Sequence, residues 1–70
     1  KKYRDAMELY KKAIAKQPDN ATCYHYYGRT LALNGRFEEA LKEYKKALEL
    51  NPSDAEIYND VGVALSIKGY

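Results

Sequence analysis

Seventy residues, 46% hydrophobic and 31% charged, are enough for one small domain of slight expected stability, because a short chain buries a small fraction of its surface. Twelve Lys and Arg against ten Asp and Glu give a net charge of +2 with the signs interleaved, which calls for neither a nucleic acid nor a membrane surface as partner. No uncharged apolar run is long enough to cross a bilayer, and the lone Cys23 has no intramolecular partner for a disulfide. No targeting signal is legible, so a cytoplasmic location is only the default expectation, and a chain running from Lys1 to Gly69-Tyr70 reads as a segment of a longer one.

Four helices are expected. In the first, Tyr3, Ala6, Met7, Tyr10, Ala13 and Ile14 fall on one helical stripe that stops short of Pro18, since proline lacks the N–H and clashes with the preceding turn. The second runs from about Ala21 to Asn34, with Asn20 placed to cap it, Tyr24, Tyr27, Gly28 and Leu31 on the buried side, and Gly35 where a left-handed residue ends the helix. The third repeats the first stripe with Phe37, Ala40, Leu41, Tyr44, Ala47 and Leu48. Glu38 and Glu39 stand in its first turn, and Lys45 and Lys46 nearer its end, as the helix dipole favours. The fourth begins at about Ala55 after the capping residue Asp54 and repeats the second, with Tyr58, Val61, Gly62 and Leu65 on its buried side.

These elements obey a ruler. Pro18 and Pro52 stand 34 positions apart, and the same offset pairs Ala6 with Ala40, Tyr10 with Tyr44, Tyr24 with Tyr58, Gly28 with Gly62, Leu31 with Leu65 and Gly35 with Gly69. Gly28 without a side chain and Ala40 with only a methyl allow two helices to cross closely, while Tyr24, Leu31 and Tyr44 fill the space beside the crossing. The set Tyr24, Gly28, Leu31, Ala40, Tyr44, Ala47 and Pro52 in this order and period resembles the tetratricopeptide repeat, with Tyr24 and Tyr58 where the family commonly has tryptophan. The resemblance implies an all-α fold of antiparallel helix hairpins stacked as a right-handed superhelical solenoid. Residues 1–18 would then be the second helix of one repeat, 21–54 a complete repeat, and 55–70 the first helix of the next.

By the same resemblance the first helix of each repeat lines a concave face. Here that means Thr22, His25, Arg29, Ala32 and Leu33, then Glu56, Asn59, Val63, Ser66 and Ile67, a stripe distinct from the core stripe on the same helices. His25 and Cys23 lie two residues apart on a helix and point about 200° away from one another, so they share neither a metal nor a proton. Cys23 aligns with Ile57 and is expected to pack in the core. His25 aligns with Asn59 and is expected as a groove contact or a surface residue. No nucleotide loop, zinc signature or nucleophile elbow is present, so the reading carries no catalytic residue, cofactor or metal. Most of the eight tyrosines sit on core stripes, with Tyr26 the clearest exception, and one ring without a basic stripe is a poor footprint for RNA.

The expected function is a non-catalytic scaffold that binds a peptide or protein segment. Arg29, His25, Asn59 and Glu56 would supply directional contacts around Leu33, Val63 and Ile67. The alternative is a structural module with no ligand of its own, or one that associates head to tail through its end faces. The family resemblance also brings to mind the gripping of chaperone C-terminal carboxylates by lysine, asparagine and arginine. In one register this sequence puts His25, Arg29 and Asp60 at such positions, and in the other Tyr26, Glu56 and Asp60, so binding of acidic tails is not expected.

Overall fold

The computed structural model describes residues 2–68, and within them the four expected helices are α1 (Lys2–Lys16), α2 (Ala21–Leu33), α3 (Phe37–Leu50) and α4 (Ala55–Lys68), with no strand. Gly69, the expected mate of Gly35, and Tyr70 lie outside the described residues. Among the described residues α1 packs on α2, α2 on α3 and α3 on α4, and α2 also touches α4, so that helices stack in chain order with α2 and α4, the first-type helices that each open a 34-residue period, meeting across its boundary. Short polar turns make successive helices antiparallel neighbours.

The turns follow from local chemistry. Asn20 Oδ1 accepts the Thr22 N–H at 3.0 Å, and Asp54 Oδ1 accepts the Glu56 N–H at 2.9 Å, each satisfying one of the free donors that begin a helix. At the end of α2, Gly35 takes φ +80°, the Gly35 N–H reaches Ala32 O at 3.0 Å, and the Arg36 N–H reaches Leu31 O at 2.9 Å. That is the paired closure that a left-handed glycine makes at a helix C-terminus. Pro18 and Pro52 do more than stop helices: their carbonyls accept the Tyr24 hydroxyl at 2.8 Å and the Tyr58 hydroxyl at 3.1 Å, so each first helix is tied back to the turn before it.

Met7, Tyr24, Leu31, Ala40, Tyr44, Ala47, Ile57 and Ala64 form the core. The expected crossing is there. A Cβ on Gly28 would lie 2.7 Å from the Tyr44 ring and 3.2 Å from Ala40 O, closer than side chains and backbone ordinarily approach.

Four expectations are corrected. Tyr58 and Gly62 are exposed and Leu65 only half-buried, because no helix among the described residues covers that side of α4; Ile57 and Ala64, on the side facing α3 and α2, are its buried residues instead. Cys23 is half-buried where Ile57 is fully buried, since among the described residues no earlier helix of the same kind lies against α2 as α2 lies against α4. Lys45 and Lys46 stop short of the last turn of α3, which carries no base, and Lys46 reaches Glu49 at 3.8 Å instead. His25 is the fourth.

Candidate functional site

His25, expected as a groove contact or a surface residue, is instead buried, 4% exposed. A buried imidazole needs a partner, and α4 supplies one: His25 Nε2 donates to Asp60 Oδ2 at 2.6 Å across the repeat boundary. The ring lies parallel to Tyr26 with centroids 5.1 Å apart and meets Tyr44 edge-on at 6.1 Å. Tyr26 continues the stack to Tyr10 at 6.4 Å and carries the Arg29 guanidinium over its outer side at 5.7 Å. Arg29 Nε is also 3.8 Å from Asp60 Oδ2, so a single carboxylate holds a buried ring and an exposed cation from the neighbouring helix. Asp60 therefore fixes how α2 and α4 sit against each other.

Two depressions adjoin this linkage, and Arg29 and Asp60 border both. One, ≈190 Å³, is walled by Ala32, Leu33, Val63, Ala64 and Ile67 with Tyr44 beneath. Leu33, Val63 and Ile67 are 65%, 50% and 62% exposed, a contiguous aliphatic edge that helix periodicity on both α2 and α4 directs to one side. The other, ≈400 Å³, is lined by Ala55, Glu56 and Asn59. The groove thus has an apolar half and a polar half on either side of an Arg–Asp bridge.

Of the sequence-predicted site residues, Arg29, Leu33, Val63 and Ile67 come together at the apolar half, and Arg29, Glu56 and Asn59 at the polar half. Thr22 is exposed at the start of α2 and borders neither depression. His25 borders neither and stabilises the groove from underneath. Sequence reasoning set Asp60 at a clamp position of this face but missed its pairing with His25. His25 and Asp60 are 35 apart, one position beyond the 34-residue register, a diagonal that only the offset between stacked helices brings into contact.

The electrostatics mark Tyr44 as structural. Burial pushes its hydroxyl up to about 12, the Asp60 carboxylate adds to the rise, and Arg29 offsets part of it, so the phenol under the groove stays protonated at neutral pH. Among the described residues no group of three His, Cys, Asp or Glu side chains is placed to hold a metal ion, and no helix is long and apolar enough to cross a membrane.

Comparison with known families agrees with this architecture. Residues 28–69 match the family model described as TPR repeat, and residues 9–42 match one described as Tetratricopeptide repeat. No curated protein matches the chain.

Proposed function

We propose, from the premise that this chain belongs to the tetratricopeptide repeat family, whose repeats are in general protein–protein interaction modules, that the α2–α4 groove binds a peptide or protein segment without catalysis. The observation that carries the reading is the row Leu33, Val63 and Ile67, three large aliphatic side chains left in water around a depression that already contains Arg29 and Asp60. Apolar area of this kind gains about 25 cal/mol per Å² when covered. An aliphatic or aromatic anchor of the partner would fill the apolar half, and Arg29, Asn59 and Glu56 would fix register by hydrogen bonds to backbone and polar groups of the segment. His25 acts by holding Asp60, and through it Arg29 and the spacing of the two helices.

A peptide array probed with the chain tests this. Capture of one sequence class is expected, with Val63→Asp abolishing it and Arg29→Ala and Asn59→Ala each weakening it roughly tenfold, the size of one lost charge-assisted contact. Capture that survives Val63→Asp, or no capture of any sequence class, would count against the groove and favour a module with no ligand of its own.

A further inference from the structure

Charge is unevenly committed along the α2–α4 groove. Both depressions have Arg29 of α2 on one side and Asp60 of α4 on the other, so their walls come from helices of this chain. Among the residues that border them, Arg29 is the one base, set against the carboxylates of Asp60 and Glu56. The Arg29 guanidinium is already engaged: its Nε lies 3.8 Å from Asp60 Oδ2, and the group rests over the Tyr26 ring. The same Oδ2 accepts from the His25 ring, so one oxygen of Asp60 carries both partners. Asp60 Oδ1 takes no hydrogen bond among the described residues and is not sealed from solvent.

Glu56 is exposed, and its carboxylate pairs with no base among the described residues. Glu56 and Asp60 stand four positions apart on α4, so the two side chains are neighbours on one helix face, where like charges repel. Arg29 offsets one of them and leaves the other. A polar half in which one carboxylate and one free carboxylate oxygen remain is complementary to a cation. Arginine suits it better than lysine, because the planar guanidinium offers five donors in a fixed fork that can span Asp60 Oδ1 and Glu56 together. The apolar half asks for the second feature, a large aliphatic side chain among Leu33, Val63 and Ile67. Glu56 and Val63 are seven positions apart, about 10 Å at a helical rise of about 1.5 Å. An extended segment covers that span in about three residues at roughly 3.3 Å each.

We propose that the segment held by this groove carries an arginine for the polar half and, about three residues away along an extended chain, a large aliphatic side chain for the apolar half. The proposal rests on the groove being a peptide-binding site and adds the chemistry of its occupant. The incoming guanidinium takes Asp60 Oδ1 and Glu56, while Arg29 and His25 stay on Oδ2, so binding does not require the linkage between α2 and α4 to break. Selectivity follows from the same arrangement: a carboxylate in place of the arginine meets two carboxylates, and an amide loses the ionic part of the contact.

Three families of end-capped synthetic peptides decide it, each with leucine three residues from a variable position, in either order, and with arginine, glutamine or glutamate at that position. The arginine family should bind the parent chain at least roughly tenfold more tightly than the glutamine family, and the glutamate family least. Glu56→Lys, at an exposed position in the first turn of α4, should reverse the order so that the glutamate family binds best. Glu56→Gln should reduce the arginine preference without reversing it, and helical circular dichroism establishes that both variants are folded. Equal binding of the three families, or an arginine preference that survives Glu56→Lys, would overturn the proposal. If that binding is still lost with Val63→Asp, the groove stands and only the arginine is refuted. Binding of no family would overturn both the proposal and the peptide-binding reading on which it rests.

Discussion

α2 and α4 are two copies of one helix, alike at Tyr24 and Tyr58, Gly28 and Gly62, Leu31 and Leu65, and they are buried in opposite ways. Tyr24 is 9% exposed and Tyr58 55%. On α2 the side bearing the glycine is closed by α3, and on α4 only the side bearing Ile57 and Ala64 is closed. A first-type helix therefore has three surfaces: one for the second helix before it, one for the second helix after it, and one for the groove. The comparison teaches that the repeat motif specifies what a helix is able to pack against, while its place in the stack decides which of those surfaces is filled.

The comparison is easiest to break at the crossing itself. Ala40 is fully buried against α2, so Ala40→Leu should overpack the contact and cost roughly 1 to 3 kcal/mol, a large part of a small domain's stability. Helical circular dichroism should show melting well below the parent; an unchanged midpoint would mean that α2 and α3 do not meet there. Alkaline pH attacks the same place. Tyr44 ionises ordinarily near 10.0 and in the folded chain near 12, so its contribution to stability is complete below pH 10 and is lost as pH rises through about 12. A stability profile over that range should fall steeply for the parent and less for Tyr44→Phe, the remaining slope coming from Tyr27, which burial and then Glu43 also raise. Equal slopes would remove Tyr44 from the account.

A smaller effect separates the two helices by sign. Gly28→Ala places a methyl 2.7 Å from a buried ring and 3.2 Å from Ala40 O, and the overpacking should outweigh the gain in helix propensity. Gly62→Ala meets nothing, and at concentrations where the chain is monomeric it should gain about 0.5 to 1 kcal/mol. Melting midpoints moving in the same direction would contradict the assignment of one covered and one open face. The smallest expected effect is none at all: an acidic peptide ending in a free carboxylate should not bind measurably. Asp60 and Glu56 face the groove, and repulsion replaces the charge-assisted hydrogen bonds worth about 1.5 to 3 kcal/mol that a lysine there would make. Micromolar binding that is lost on amidating the peptide's C-terminus would show that Arg29 overrides both carboxylates.

The amino-acid sequence by itself determined the four helices and their turns, because proline, a left-handed glycine and short capping side chains act within a few residues of themselves. It also determined the Gly28–Ala40 crossing, because a 34-residue period aligned small residues with large ones. Most of the residues that line the two depressions were legible as one face for the same reason: Arg29, Leu33, Glu56, Asn59, Val63 and Ile67 share a helical phase distinct from the core. What only the tertiary structure decided was which phase each neighbour covers. Tyr58 and Leu65 carry the same apolar signal as Tyr24 and Leu31, yet periodicity records a preference for burial and not the helix that would supply it. His25 lay beyond sequence reasoning because its burial depends on Asp60, 35 residues away on another helix, and that pairing exists only once α4 has settled against α2 at a particular offset.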